Sequence, residues 1–158
     1  MDLPATLVVF AVEDQRYAIP LASARRVVFA AEVSRVAEGP SCLLGVVDVQ
    51  GDLVPVLDIR RRSGARSPAV EVSDYFVLAS SRIGTVALLA DDVIGVVETA
   101  SLLGPPAPVS PSLERFGGAV RFDGHLVLIE DMEKFLTDQE CFALEYAMEH
   151  AAETRPAQ

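Results

Sequence analysis

Histidine and cysteine side chains are well suited to metal binding or nucleophilic chemistry, and this sequence contains two of each. His125 follows the turn Asp123–Gly124 and His150 comes late in the chain; neither has a second histidine or a cysteine at metal-ligand spacing. Cys42 and Cys141 stand 99 positions apart, and no CxxC pair occurs. The sequence therefore predicts no metal site, no cofactor and two inert thiols.

The acidic pair Asp91–Asp92 is the remaining candidate for catalysis, because paired carboxylates can act as general acid and base. Adjacent residues point in different directions, however, so a turn or helix-start role fits this pair better. No GxGxxG, GxxxxGKS/T or GxSxG motif occurs. We therefore expect no enzymatic activity. The alternative, an enzymatic or small-molecule-binding barrel, needs a buried polar cluster drawn from Asp91, Asp92, Asp123 and His125.

The charge balance limits the class of partner. The 158 residues include 13 basic and 23 acidic side chains, and the formal charge of −10 argues against nucleic acid and anionic membranes. Hydrophobic residues make up 51% of the chain, which favours a folded domain over disorder. The early apolar run Leu7–Val12 has only six residues, far below the roughly 20 that span a bilayer. We expect a soluble, cytoplasmic protein without membrane insertion.

The sequence is internally duplicated, and the repeat predicts the fold. Leu7–Val12 and the run that begins at Phe76 are each followed by a second strand-like run, at a constant shift of 69 residues. Gly45–Asp58 matches Gly118–Asp131 at a shift of 73 residues. Both of these segments read as β-hairpins with a two-residue glycine turn, such as Asp123–Gly124. Two hairpins in each half favour two small closed barrels, because closure leaves no unpaired edge.

The predicted domain covers residues 7–150, with one subdomain at about 15–72 and a second at about 73–136. Ser63–Ser73, which contains proline, serine and arginine, joins the two halves. Leu102–Ser112 holds four prolines and predicts a long loop. First and last strands are often exchanged in duplicated folds, so the boundary need not follow sequence order.

The C-terminal segment has the pattern of a helix. Thr137–Glu140 matches a capping box, in which the hydroxyl and the carboxylate satisfy backbone N–H groups. Leu144, Ala147, Met148 and Ala151 then recur at the spacing of one helical face. We predict a closing helix at about 138–152 and a flexible tail at 153–158. Its apolar face either covers a barrel end or docks a partner.

The hairpin Gly45–Arg60 resembles the signature hairpin of the CheW family, the adaptors of bacterial chemosensory arrays. Further elements resemble this family in the same order: the opening strands from Leu7, the segment Ala87–Val96 and the closing segment His125–Leu136. The resemblance extends over most of the chain, to about Met148. Several motifs in the correct order make the signal specific.

The resemblance implies a mainly β fold: two SH3-like five-stranded β-barrel subdomains with a groove between them, and a C-terminal helix. It implies an adaptor without catalytic activity or cofactor. Such an adaptor couples the cytoplasmic hairpin tip of a chemoreceptor to the regulatory domain of a CheA-type histidine kinase. The candidate partner-binding residues that follow from it are Arg26, Gly45, Asp48, Gln50, Gly51, Pro55, Asp58 and Arg60.

Three of these positions depart from the family pattern. Gln50 stands where the family has arginine in the turn, and Asp48 stands where it has asparagine. Arg26 stands where the family often has the glutamate that pairs with that arginine. Either the region is repacked without consequence, or the docking surface has changed its partner, as in a pathway for surface motility or development. Arg26 is left to pair with Asp48 or Glu32.

Overall fold

The computed structural model describes residues 5–36, 38–59, 70–99 and 116–154, with the backbone alone at 116–117 and 152–154. The strands of the first half are β1 (Thr6–Val12), β2 (Gln15–Pro20), β3 (Ala24–Phe29), β4 (Leu43–Val49) and β5 (Asp52–Leu57). Those of the second half are β6 (Tyr75–Ser81), β7 (Gly84–Ala90), β8 (Asp92–Glu98), β9 (Phe116–Phe122) and β10 (His125–Glu130). The helix α1 spans Asp138–Thr154. Most of the predicted linker at 63–73, and all of the predicted loop at 102–112, lie outside the described residues.

The ten strands form two five-stranded sheets with equivalent strand orders. Sheet I has the order β8-β1-β2-β10-β9, and sheet II has the order β3-β6-β7-β5-β4. The strands at equivalent places differ by five in number: β1 and β2 of sheet I correspond to β6 and β7 of sheet II, and β8, β9 and β10 correspond to β3, β4 and β5. Each sheet also contains one parallel pair, β10 with β2 and β5 with β7. The sheets therefore agree with the duplication in the sequence.

Each sheet combines strands from both halves of the sequence. Sheet I takes β1 and β2 from the first half and β8, β9 and β10 from the second. Sheet II takes β3, β4 and β5 from the first half and β6 and β7 from the second. The expected division at about 15–72 and 73–136 stays a prediction about domain units, but the hydrogen-bonded sheets cross it. The opening hairpin of each half pairs with strands of the other half.

The mainly β, SH3-like fold with a C-terminal helix is confirmed, but the closed barrels are not. Within the described strands, no ladder joins β8 to β9 or β3 to β4. In sheet II the chain after β3 lies against β4: Ser34 and Val46 each donate a backbone N–H to the other's carbonyl, at 2.9 and 2.8 Å. An isolated bridge therefore stands where a closed barrel would have a full ladder.

The buried side chains form three clusters. One face of sheet I surrounds its own cluster, which includes Leu7 and Ile129, and one face of sheet II surrounds another, which includes Phe76 and Val56. The opposite faces and α1 share a central cluster around Phe135. Because side chains alternate along a strand, a strand buried on both faces reads as a continuous apolar run. This burial explains the uninterrupted apolar run Leu7–Val12 in β1.

The C-terminal helix begins with the predicted capping box. The N–H of Thr137 donates to Glu140 Oε1 at 3.0 Å, and the N–H of Glu140 donates to Thr137 Oγ1 at 3.1 Å. Leu144 and Ala147 are buried in the central cluster. α1 therefore covers the core, which is one of the two roles expected for its apolar face, and it spans Asp138–Thr154.

Arg82, in the turn between β6 and β7, holds the start of α1 against sheet II. Its Nη2 contacts Asp138 Oδ1 at 2.7 Å, and its Nη1 donates to the Leu136 carbonyl at 3.3 Å. Both contacts fix the helix relative to the sheet. Among the described residues, no helix is both long and apolar enough to cross a membrane.

Candidate docking surface

The hairpin of β4 and β5 turns on Gln50 and Gly51, whose φ angles are 53° and 94°. Two central residues with positive φ are typical of a type I′ turn, which matches the twist of the flanking strands. Asp48 Oδ1 accepts the Gly51 N–H at 2.8 Å and stabilises this turn. Asp48 and Gly51 therefore shape the hairpin, while the exposed Gln50 presents its side chain at the tip.

Gly45 allows a close approach of two backbone segments. Its φ is +155°, and a Cβ added there would lie 2.3 Å from the Ser34 carbonyl oxygen and 2.6 Å from Val33 Cγ1. A side chain at this position would collide with the segment that bridges to Val46. Gly45 is buried, so any effect on a partner acts through the shape of the hairpin.

Asp58 and Pro55 lie deeper in the hairpin than the sequence suggested. Asp58 is 0% exposed, and its backbone N–H donates to the Cys42 carbonyl at 2.9 Å. Pro55 is mostly buried, yet it forms part of the wall of a surface groove. Arg60, the last candidate from the sequence, lies outside the described residues.

An open groove of about 900 Å³, here called the docking groove, lies where sheet II meets α1. It brings together three candidates from the sequence: Arg26, Gln50 and Pro55. Its apolar lining consists of Val49, Leu53, Val54, Pro55, Leu78, Ile83 and Met148. Its polar and charged lining consists of Arg25, Arg26, Gln50, Asp52, Thr85, Glu145 and Glu149.

The part of the groove that comes from α1 was not predicted from the sequence. Glu145, Met148 and Glu149 lie on the edge of the helix between its buried face and solvent. The spacing of the two glutamates, one helical turn apart beside Met148, was a usable signal for such an edge. The apolar face of α1 was expected either to cover the core or to dock a partner, and residues of α1 belong to both the core and the groove.

The two groove arginines have different local partners. Arg25 Nε donates to Ser80 Oγ at 2.7 Å. Arg26 is exposed, and no ion pair or hydrogen bond joins it to Gln50, Asp48 or Glu32 among the described residues. The guanidinium of Arg26 therefore remains available at the mouth of the groove.

The residues of the enzymatic alternative do not form a buried polar cluster. Asp91, Asp92, Asp123 and His125 are all exposed. The Asp91 carboxylate accepts the backbone N–H of Glu13, which ties it to the turn between β1 and β2. Within the described part of the chain, no group of three His, Cys, Asp or Glu side chains is arranged to hold a metal ion. Asp91 thus has a structural role at a turn, whereas Asp92 is the first residue of β8.

The chain is similar to proteins of one known family. The family model of the CheW-like domain matches residues 6–140. The probable chemotaxis protein CheW of Rhizobium etli is 23% identical over 137 residues, which cover 85% of this chain and 88% of that protein. The chemotaxis protein CheW of Klebsiella aerogenes is 22% identical over 135 residues, which cover 84% of this chain and 81% of that protein.

A solved structure has the same fold. The crystal structure of the scaffolding protein TtCheW from Thermoanaerobacter tengcongensis superposes with a TM-score of 0.70 at 20% sequence identity. The superposition covers 87% of this chain and 97% of that one. The resemblance seen in the hairpin at Gly45 thus extends to the whole arrangement of strands. On the family match over most of its length, this chain belongs to the CheW-like domain family.

Proposed function

We propose that this protein is a non-enzymatic adaptor that couples the cytoplasmic hairpin of a chemoreceptor to the regulatory domain of a CheA-type histidine kinase. The observation that carries the proposal is the docking groove, which unites the exposed Arg26, the hairpin tip at Gln50 and an apolar lining. Grooves of this kind bind amphipathic helices, and we expect the receptor hairpin to dock in this way. The protein acts in the cytoplasm and reaches membrane arrays through its partners.

A coupling protein needs a second surface, and the edge of sheet II offers one. Phe29 in the edge strand β3 is 72% exposed. Its ring stacks on Tyr75 with the centroids 5.4 Å apart. Val72 nearby in sequence is 90% exposed. Exposed apolar clusters of this kind mark interaction sites, and we assign this one to the kinase regulatory domain, itself a CheW-like fold.

Reconstitution with purified components tests the coupling. The protein is mixed with the kinase and with the receptor hairpin from the same cell, and the complexes are separated by size-exclusion chromatography with light scattering. We expect the kinase and the receptor hairpin to elute together in a ternary complex when the adaptor is present, and separately when it is absent. Arg26→Ala should weaken receptor binding, whereas Arg121→Ala, at an exposed arginine outside the groove, should not. Absence of both binary complexes would refute the adaptor function.

The second candidate is a CheW-like scaffold with changed partner specificity, and the identities of Arg26 and Gln50 favour it. Both side chains line the same groove, so Gln50→Arg alone brings two like charges together. The added charge should weaken binding of the native partner, because the charge pattern of the groove would no longer match that partner. Adding Arg26→Glu should restore binding through a charge-assisted pair. If the native partner is indifferent to both single changes, this surface is not the interface.

A further inference from the structure

The docking groove carries opposite charges on two different structural elements. Arg25 and Arg26 come from β3, whereas Glu145 and Glu149 come from α1. α1 packs against β4 and β5, and in the strand order β6 and β7 separate β3 from β5. Among the described residues, no ion pair joins either arginine to either glutamate. The groove therefore has a positive edge formed by β3 and a negative edge formed by α1.

Apolar side chains fill the space between the two edges. Leu53, Pro55, Ile83 and Met148 contribute from the hairpin, from the turn between β6 and β7, and from α1. A groove of about 900 Å³ has room for several large side chains. One apolar face of a helix, with side chains at i, i+3, i+4 and i+7, supplies side chains of this kind.

We propose that the docking groove binds an amphipathic α-helix whose apolar stripe lies between an acidic row and a basic row. The acidic row pairs with Arg25 and Arg26, and the basic row pairs with Glu145 and Glu149. This inference rests on the proposed function, since it describes the kind of partner that the same groove accepts. It makes α1 a specificity element as well as a cover for the core.

The α1 helix of a second copy does not meet this description. Its sequence, Asp138–Thr154, contains no lysine or arginine, so it has no basic row to face Glu145 and Glu149. Two α1 helices would instead bring like charges together, which is unfavourable. The occupant is therefore a helix of another protein that carries both signs of charge.

Opposite edges also determine the direction in which the bound helix runs. Turning a helix by 180° about the normal to the groove floor reverses its N-to-C direction and exchanges its two flanks. The acidic row then faces Glu145 and Glu149, and the basic row faces the arginines. Four attractive contacts become four repulsive ones, so a single direction is favoured.

Three stapled helical peptides of about 14 residues with the same leucine stripe test this inference. The first has a glutamate row and a lysine row, the second has glutamate in both rows, and the third has lysine in both rows. We expect the mixed peptide to bind at least tenfold more tightly than either other peptide in calorimetry at low ionic strength. Equal binding of the all-lysine peptide would overturn the proposal, because it would show only attraction to an acidic protein.

Charge reversal identifies the edges that are responsible. Glu145→Lys with Glu149→Lys should remove the tenfold preference for the mixed peptide. Glu38→Lys with Glu133→Lys changes the net charge equally at exposed positions outside the groove, and should preserve that preference. Circular dichroism serves as the control that each variant is folded. Loss of the preference in both double variants would contradict a groove-specific effect.

Exchanging the charges of the two edges should reverse the N-to-C direction in which the peptide binds. The fourfold variant adds Arg25→Glu and Arg26→Glu to Glu145→Lys and Glu149→Lys, which leaves the net charge unchanged. A nitroxide at the peptide N-terminus should broaden amide signals at one end of the groove in the wild type and at the other end in this variant. An unchanged pattern would refute the charge-directed orientation.

The peptide experiments and the reconstitution can refute the two proposals separately. If no peptide binds the groove while the ternary complex forms, the two-edge inference is wrong and the adaptor function stands. If the mixed peptide binds as described but neither receptor nor kinase does, the adaptor function is wrong, and the groove serves a helix of another protein.

Discussion

Replacement of Gly45 by alanine is the most direct test of how the β4–β5 hairpin is built. The new Cβ would lie 2.3 Å from the Ser34 carbonyl oxygen, a backbone atom that cannot rotate away. The bridge between Ser34 and Val46, with its two hydrogen bonds of 2.9 and 2.8 Å, would have to open. We expect a large loss of stability and a displaced hairpin.

The expected loss of stability in Gly45→Ala is the sum of two contributions. A non-glycine residue at a φ near +155° is strained by about 1–3 kcal/mol. Loss of two backbone hydrogen bonds adds about 2 kcal/mol, at about 1 kcal/mol each. Gly45→Ala should therefore lower the free energy of unfolding by roughly 3–5 kcal/mol.

Gly95 provides a matched control for the strain. Its φ is +147°, close to that of Gly45, but no atom lies within 4 Å of an added Cβ. Gly95→Ala should cost only the strain contribution of about 1–3 kcal/mol. Both variants are measured by urea unfolding under the same conditions. If the two losses agree within about 0.5 kcal/mol, well inside the expected cost of two hydrogen bonds, the collision has no energetic effect and the reasoning is refuted.

Three further measurements test the described contacts. Thr137→Ala removes one half of the capping box and should lower the unfolding free energy by about 1 kcal/mol, with Thr137→Ser close to wild type; equal losses in the two variants would exclude a hydroxyl role. Leu144→Ala in the central cluster should cost about 2–5 kcal/mol in urea unfolding, and a loss below 1 kcal/mol would contradict its complete burial. Burial raises the pKa of the Cys141 thiol, so this thiol ionises more readily in the unfolded chain, and the free energy of unfolding should fall as the pH rises above about 9. In a Cys141→Ala variant the free energy of unfolding should fall less steeply over the same pH range. An equally steep fall in the variant would show that other groups cause it.

The sequence alone determined the local features and the family. The turn at Gln50–Gly51, the capping box at Thr137 and the buried face of α1 depend on neighbouring residues, so short patterns were sufficient to predict them. The motif order from Leu7 to Met148 was sufficient to identify the family, which the match over residues 6–140 confirms. The candidate residues Arg26, Gln50 and Pro55 also came from these motifs, and they meet in one groove.

Only the tertiary structure decided how the strands and the groove are assembled. The parallel pairs β10–β2 and β5–β7 join residues far apart in sequence, and no local pattern specifies such partners. Their formation places the opening hairpin of each half in a sheet with strands of the other half. The buried position of Asp58, the bridge from Ser34 and the negative edge at Glu145 and Glu149 follow from that assembly. Long-range pairing, which brings distant residues to one surface, is the physical reason that the docking groove could not be read from the sequence.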